Sequence, residues 1–379
     1  MFFAYIQTIV VYLGLAILMF TGAKKYERTG KWKHVLIPVI VYAIIFGMRY
    51  FVGSDSLHYV RIYEGFVQGK YNLDFGGRWE LGFLWYTILM SSLHVPSWIY
   101  MGIISFVQLY LVVYAFRNNR KLIPWILWVF MIGGYWLTYA NGLRQMIAVS
   151  LWILSLKYIA NKDIKRHYCC LIIAFFFHKA SVILLPFYFL CNWKKVWFKN
   201  RIVELALLAA SLVLMMTPIL QDMLKSIDRI AITLGYGDYL TDFDQKDIIE
   251  GASIGIGFLI NLMINIIIIY NSEGIKKHFN NRLYNIVYDF FFVGAFLRNV
   301  LLNSLLFSRL NYYFDNMSWI MGAIALLYAK QRGYQTMYYS LICLYGLVFL
   351  AFIYKAEVNS ALFIFEWQKD LYYLKDVLF

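Results

Sequence analysis

FFAYIQTIVVYLGLAILMFTGAKK, residues 2–25, is a predominantly apolar run that ends in a pair of lysines. As a helix, about 20 such residues cross the ~30 Å hydrocarbon core of a bilayer. No basic residue precedes the run, whereas a cleaved signal peptide has its positive charges first. The stretch therefore predicts an uncleaved transmembrane helix that starts outside the cell and ends at a cytoplasmic basic loop.

The composition of the whole chain also indicates a membrane protein. Of its 379 residues, 62% are hydrophobic and 15% are charged, whereas soluble domains are about 45–50% apolar and about 25% charged. The four cysteines lie in or beside apolar segments, at spacings that match neither a zinc site nor a disulfide framework. We therefore exclude an ordinary soluble protein and expect neither a metal nor another cofactor.

The formal net charge of +14 indicates orientation, because the basic residues cluster in short loops between apolar runs. Short loops rich in Lys and Arg lie on the cytoplasmic side of a membrane. These loops are approximately residues 21–34, 117–121, 161–167, 192–201, 276–282 and 330–332. The membrane thus accounts for the basic charge, and a nucleic-acid partner is not predicted.

The apolar runs predict an all-α, polytopic protein with about ten full transmembrane helices in a single integral membrane domain, residues 1–379. The predicted spans are approximately 3–20, 35–50, 98–116, 123–139, 146–160, 202–217, 254–271, 285–302, 313–329 and 334–353.

Two further apolar segments do not fit as full spans. Only one crossing fits between the outer loop 51–80 and the next basic loop, so residues 80–93 are expected to form an interfacial helix. Segment 168–191 lies between two cytoplasmic loops and is interrupted by His178 and Lys179, which predicts a re-entrant pair of half-helices. Half-spans need protein or water around their backbone, so both segments predict an outward cavity.

Three cations open helices that run inward from the outer face: Arg144, Lys179 and Arg309. A helix N-terminus has about half a positive charge, so a cation there costs roughly 0.3–1 kcal/mol. Three such cations on one face predict an anion between them, and phosphate oxygens suit both arginine forks and N–H groups. In the stretch NGLRQ, Asn141 is expected to cap the Arg144 helix. Arg144 and Gln145 are expected to be buried together.

Other polar residues at this face have two interpretations each. Arg49 ends an outward-running helix, where the dipole favours a cation, so it either caps or snorkels there or contacts substrate. Glu80 opens the interfacial helix, either as a carboxylate that suits the dipole or as a substrate contact. His178 is either solvated at the hairpin tip or part of an anion site.

Asp55 is the candidate for proton transfer in the outer loop 51–80. It follows Gly53 in a Gly-Ser-Asp-Ser turn, so a purely local role is the alternative. Tyr59 and Tyr63 follow at four-residue steps on one face of a predicted surface helix, and Trp79 extends an aromatic lining that could also be an interfacial belt. Sugar transfer needs a carboxylate to accept a hydroxyl proton and cations to stabilise a phosphate leaving group.

Five stretches in this order resemble the EpsG family of Wzy-type polymerases of bacterial capsular, exo- or O-antigen polysaccharide: RYFVGSDSLHY, RWELGFLWYTIL, NGLRQMIAVSLWILSLKYI, FHKASVILLPFYFL and SRLNYYF. The Arg-Gln pair after a glycine and the Phe-His-Lys-Ala tip are the most telling motifs. The pattern G-x-D-x-x-x-Y, residues 53–59, is also similar to the GT-C glycosyltransferases, whose first large outer loop contains an acidic catalytic residue.

The resemblance implies a GT-C-like glycosyltransferase at the outer face of the bacterial cytoplasmic membrane. Its implied substrates are an undecaprenyl-diphosphate-linked oligosaccharide donor and a similar acceptor, and a chain-length regulator is a further possible partner. Asp55 is the implied catalytic residue. The implied diphosphate site consists of Arg144, Gln145, His178, Lys179 and Arg309. The predicted sugar contacts are Arg49, Tyr59, Tyr63, Trp79 and Glu80.

A second outer loop, residues 218–252, is acidic and contains the spacing D-x-D at Asp242 and Asp244. The loop lacks the glycine and the distal glutamate of an EF-hand, so a solvated loop or lid is predicted in place of a metal site.

Two other function classes remain open. A lipid-linked oligosaccharide flippase would need polar groups through the middle of the bilayer and a repeated half-architecture, and the sequence has neither. An O-antigen ligase or membrane acyltransferase would share the basic outer site but would have its dominant outer loop late in the chain.

Overall fold

Helices form almost all of the regular structure in the part of the chain that the computed structural model describes, which is residues 2–71, 79–193, 196–231, 255–302, 304–358 and 360–368. The chain divides into two compact units. The first comprises Met1–Phe189 and Ile342–Phe379, and the second comprises Leu190–Leu341. The prediction of an all-α membrane protein is confirmed.

The first unit contains most of the predicted site. Its helices are α1 (Phe2–Thr29), α2 (Lys33–Gly47), α3 (Ser56–Val67), α4 (Leu81–Ser92), α5 (Ser97–Ala115), α6 (Ile123–Ile132), α7 (Tyr135–Asn141), α8 (Leu143–Ala160) and α9 (Ile164–Phe177), followed by a 3-10 helix (Lys179–Leu184) and α10 (Phe187–Trp193). Helix α2 packs on α5, α1 on α6, and α8 on both α5 and α9. Fully buried rings, among them Trp136, Trp152 and Tyr100, fill the space between these helices.

A short two-stranded sheet fixes the start of the 51–80 loop. Strand β1 (Arg49–Tyr50) pairs antiparallel with β2 (Ile364–Phe365), with Arg49 opposite Phe365. The chain just before β2 is tied to α1, because Tyr12 donates a 2.7 Å hydrogen bond to the carbonyl of Ala361. The C-terminal segment therefore lies beside the loop that contains Asp55.

The second unit is also helical. It contains α11 (Arg201–Met215), α12 (Pro218–Ala231), α13 (Ile256–Tyr270), α14 (Ser272–Phe279), α15 (Arg282–Val300), α16 (Leu305–Asp315), α17 (Met317–Arg332) and α18 (Gln335–Tyr354), the last of which crosses the boundary between the units. Helix α15 packs on α11, α16 and α17. Asp242 and Asp244 of the acidic loop lie outside the described residues.

Four of the described helices are long and apolar enough to cross a bilayer, namely α1, α5, α8 and α18. The number rises to six if the bent pairs α6–α7 and α13–α14 each count as one span. The predicted span 98–116 coincides with one helix, whereas 123–139 is broken by a 73° bend. The total of about ten spans and the GT-C architecture stay predictions.

The bend in this span has a local cause. Gly134 has a left-handed φ of +72°, which costs other residues about 1–2 kcal/mol. A Cβ at Gly134 would also overlap the ring of Phe352. The adjacent Gly133 and Gly134 thus end α6 and let α7 start in a new direction.

The two irregular segments are short helices. Helix α4 has 12 residues, which is about 18 Å at 1.5 Å per residue and too short for a full crossing. The segment 168–191 is interrupted at His178, whose extended backbone (φ −157°, ψ 108°) separates α9 from the 3-10 helix. The predicted interruption at His178 is confirmed, although the second half begins as a 3-10 helix.

Candidate functional site

The side chain of Glu80 joins three elements of the first unit. Its Oε2 lies 2.5 Å from NH1 of Arg144, and its Oε1 lies 3.3 Å from Nδ1 of His178. Glu80 precedes α4, Arg144 is in the first turn of α8, and His178 follows α9. The Glu80 side chain is only 4% exposed, while those of Arg144 and His178 are 15% and 21% exposed. The more exposed side of the cluster therefore consists of the Arg144 guanidinium and the His178 imidazole.

The charge state of Glu80 follows from these partners. Burial by itself would raise the pKa of Glu80, but the hydrogen bond with His178 and the charge of Arg144 outweigh burial and lower that pKa to about 2. At neutral pH Glu80 is an anion without a proton to donate, and so low a pKa makes it a poor base. Glu80 is thus suited to hold Arg144 and His178 in position. Its side chain makes no hydrogen bond that caps α4.

Two aromatic residues, Tyr59 and Trp79, also contact Arg144. Its Nε donates a 3.3 Å hydrogen bond to the hydroxyl of Tyr59, and its guanidinium carbon lies 5.9 Å from the ring centroid of Trp79. Tyr59, Trp79 and Phe83 form a ring cluster with centroid separations of 5.0–5.8 Å. The predicted sugar contacts Tyr59 and Trp79 therefore lie beside the predicted phosphate contact.

Asp55 is held close to the start of α8 by Asn141. The backbone N–H of Asp55 donates a 2.8 Å hydrogen bond to Oδ1 of Asn141, and the hydroxyl of Ser54 donates to the same oxygen over 3.1 Å. Gly53 has φ +86°, and a Cβ there would lie 3.2 Å from the backbone of Asn141. The turn that contains Asp55 thus packs directly on the end of α7. Asp55 is partly exposed, and its side chain does not cap α3.

The expectation that Asn141 caps the Arg144 helix is wrong. Gly142 occupies the N-cap position of α8, and no side chain caps it. The amide oxygen of Asn141 instead binds the loop residues Ser54 and Asp55. This contact joins residues 86 positions apart in the chain, and no local pattern indicates it.

Arg49 is buried, with 6% of its surface exposed. Its guanidinium donates to the carbonyl oxygens of Phe46, Val52 and Ala140, the last two at 3.3 and 3.1 Å. It also lies 3.5 Å from the hydroxyl of Ser105. Arg49, the first residue of β1, therefore connects the end of α2 with the loop, α5 and α7.

The four other residues predicted to contact substrate differ in burial and in the element that contains them. Tyr63 is 1% exposed, donates to the carbonyls of Val95 and Met90, and stacks on Tyr100 at 4.1 Å. Gln145 is buried in α8, and Lys179 is exposed at the start of the 3-10 helix. Arg309 is half-buried on α16 of the second unit. The roles of Tyr63, Gln145, Lys179 and Arg309 stay predictions.

The second unit contains another buried polar cluster, which the sequence did not indicate. Nζ of Lys276 lies 3.7 Å from Oε1 of Glu204, whose Oε2 accepts hydrogen bonds from Tyr288 and Ser272. The Glu204 side chain is 1% exposed. Asp289 in the same unit accepts hydrogen bonds from two backbone N–H groups. These contacts connect α11, α14 and α15.

Within the described ranges no group of three or more His, Cys, Asp or Glu side chains could hold a metal ion. The expectation that no metal takes part stays a prediction, because the acidic loop lies outside those ranges.

A family model described as EpsG family matches residues 32–367. The match covers most of the chain, so the chain belongs to the EpsG family, which is a family of Wzy-type polymerases. Neither a curated protein nor a solved structure matches the chain. Membership implies polysaccharide polymerase activity at the coarse level.

Proposed function

We propose that this EpsG-family membrane protein joins undecaprenyl-diphosphate-linked oligosaccharide repeat units into polysaccharide on the outer face of the bacterial cytoplasmic membrane. The supporting observation is that Glu80 holds the side chains of Arg144 and His178 together beside the Asp55 turn. A guanidinium has five N–H donors in a planar fork that matches phosphate oxygens, which suits Arg144 to a diphosphate ligand.

In the proposed reaction, the diphosphate of the donor lies against Arg144 and His178, with Lys179 as a further cation. Asp55 accepts the proton of a sugar hydroxyl on the acceptor repeat unit. The hydroxyl oxygen attacks the anomeric carbon of the donor, a new glycosidic bond forms, and the bond to the diphosphate breaks. The leaving group is undecaprenyl diphosphate, whose charge the cations stabilise. A single displacement of this kind inverts the anomeric carbon.

The aromatic side chains have a complementary role in this proposal. Tyr59 and Trp79 present ring faces beside Arg144, and flat apolar ring faces can contact the C–H faces of a sugar ring while its hydroxyls bind polar groups. The donor sugar is therefore placed against Tyr59 and Trp79, next to the diphosphate. A chain-length regulator is a proposed additional partner.

The test is an assay of the purified full chain in proteoliposomes with lipid-linked repeat units. Formation of polymer longer than one repeat unit supports the proposal. Translocation without new glycosidic bonds would identify a flippase, and transfer of the saccharide to a different acceptor would identify a ligase; either result would overturn the proposal.

A further inference from the structure

A polar cleft and an apolar groove in the first unit share one tryptophan. The cleft has a volume of about 260 Å³, and its lining includes Arg49, Arg61, Glu64, Ser97, Trp98 and Glu366. The groove has a volume of about 290 Å³, and its lining includes Ile40, Ile44, Trp98, Ile103 and Phe106. Trp98 therefore borders both spaces. Each is close to the lower end of the ~300–1,000 Å³ range of ligand pockets.

The cleft lies on the opposite face of α3 from the Arg144 cluster. At about 100° per residue, Arg61 and Glu64 project away from Tyr59 and Tyr63. Arg61 and Glu64 line the cleft, whereas Tyr59 bonds to Arg144. Helix α3 therefore separates two sites, with Asp55 at its start.

The cleft offers groups that suit a phosphorylated sugar. Arg49 is buried at its wall, and the acceptors that it bonds in the described part of the chain are carbonyl and hydroxyl oxygens. Neither Arg61 nor Glu64 forms an ion pair with a described residue. Arginine forks bind phosphate oxygens, and carboxylates such as Glu64 and Glu366 accept hydrogen bonds from hydroxyls.

The groove offers a surface for a hydrocarbon chain. It runs along α2 and α5, and α5 is long and apolar enough to cross a bilayer. From Trp98 to Phe106 the groove follows α5 for about 12 Å at 1.5 Å per residue. Ile40 and Ile44 on its rim are 40% and 41% exposed, so the groove is accessible from the side of the helix pair.

We propose that the cleft and the groove together bind a second lipid-linked saccharide, with phosphate and sugar in the cleft and the polyprenyl chain in the groove. The choice of occupant follows from the position of the two spaces on either side of Trp98 and from their linings, since a molecule that occupies both has a polar, charged end and an apolar end. The inference rests on the proposed function, because a polymerase holds two lipid-linked substrates at once. The Arg144 cluster binds one of them, and this site binds the other.

Native mass spectrometry of the purified full chain with undecaprenyl diphosphate tests the proposal. Wild-type protein is expected to bind two molecules, and Ile103→Trp, which fills the groove, is expected to bind one. Ile37→Trp is the matched control, because Ile37 lies on the same helix pair with 55% exposure and does not line the groove. Arg61→Ala should weaken the second binding event about tenfold, while Lys70→Ala should not change it.

Two outcomes would overturn the inference. One is unchanged binding of two molecules by Ile103→Trp. The other is equal occupancy of the groove by phosphatidylglycerol, which would identify an ordinary lipid site. Arg144→Ala distinguishes the two proposals: if it still binds two molecules, the diphosphate site of the proposed function is wrong while the cleft–groove site stands.

Discussion

Two buried carboxylates, Glu80 in the first unit and Glu204 in the second, are surrounded by different balances of charge. Glu80 contacts the guanidinium of Arg144 and the imidazole of His178, both partly exposed. Glu204 contacts one cation, Lys276, and its other oxygen accepts hydrogen bonds from hydroxyl groups. The first cluster joins a guanidinium and an imidazole at helix starts, whereas the second connects α11, α14 and α15 through an ammonium group and hydroxyl groups.

Among changes to these two clusters, substitution of Arg144 should have the largest effect, and this effect should be on the rate of polymer formation. Arg144→Ala should lower the rate of polymer formation about 10²–10³-fold, because one donor to the developing charge is lost. Arg144→Lys should restore only part of the rate, since an ammonium group cannot bind in a planar fork. The measurement is the initial rate per mole of folded protein with lipid-linked repeat units.

Arg166→Ala is the matched control for Arg144→Ala. Its side chain is 73% exposed and contacts Asp163, the N-cap residue of α9, at 3.4 Å and the ring of Tyr158 at 6.0 Å. The control should keep the wild-type rate. A wild-type rate in Arg144→Ala would show that the Glu80 cluster does not bind the leaving group.

Substitution of Glu204 in the second unit should lower stability and leave the rate of polymer formation unchanged. Glu204→Gln leaves Lys276 without its charge partner in a buried site, which typically costs about 3–5 kcal/mol of stability. Thermal unfolding in detergent should shift to lower temperature, while the rate per mole of folded protein should stay at the wild-type value. A lower rate at unchanged unfolding temperature would assign Glu204 to catalysis and remove the distinction between the clusters.

The smallest expected effect is the pH dependence of the contribution that Glu80 makes to the stability of the folded protein. The pKa of Glu80 is lowered to about 2 in the folded protein, so its stabilising effect is fully present above the unfolded value of about 4.3 and is lost as pH falls toward 2. The advantage in unfolding temperature of wild type over Glu80→Gln should therefore be smaller at about pH 3 than at about pH 5.5. An advantage that is as large at about pH 3 as at about pH 5.5 would contradict this charge state.

Part of the fold and site was predictable because the relevant signals are local. The charged pair His178 and Lys179 inside an apolar run indicated a broken helix, and the length of 80–93 indicated a short one. The bend at Gly134 was missed, since a glycine pair in an apolar run is also compatible with a straight span. The sequence also identified Arg144, Glu80 and Asp55 as polar residues at predicted helix starts or turns.

The contacts between these residues were not predictable from one sequence. Arg144 and Glu80 are 64 positions apart, so no helical spacing indicates their ion pair. The pairing of β1 with β2 involves two residues on each strand, which is too short for an alternating pattern to appear. The bonds of Ser54 and Asp55 to Asn141, and of Ser97 to Glu366, are also long-range, and for this reason Asn141 was expected to be a helix cap.

Polymer formation by Asp55→Asn tests the central claim most directly, because the proposed proton acceptor loses its charge while the backbone N–H that binds Asn141 is kept. The account predicts a fall of about 10²–10⁴-fold in rate, with a normal amount of folded protein in the membrane. Asp163→Asn, which keeps a capping side chain at the start of α9, should retain the wild-type rate. A wild-type rate and polymer length in Asp55→Asn would contradict the account.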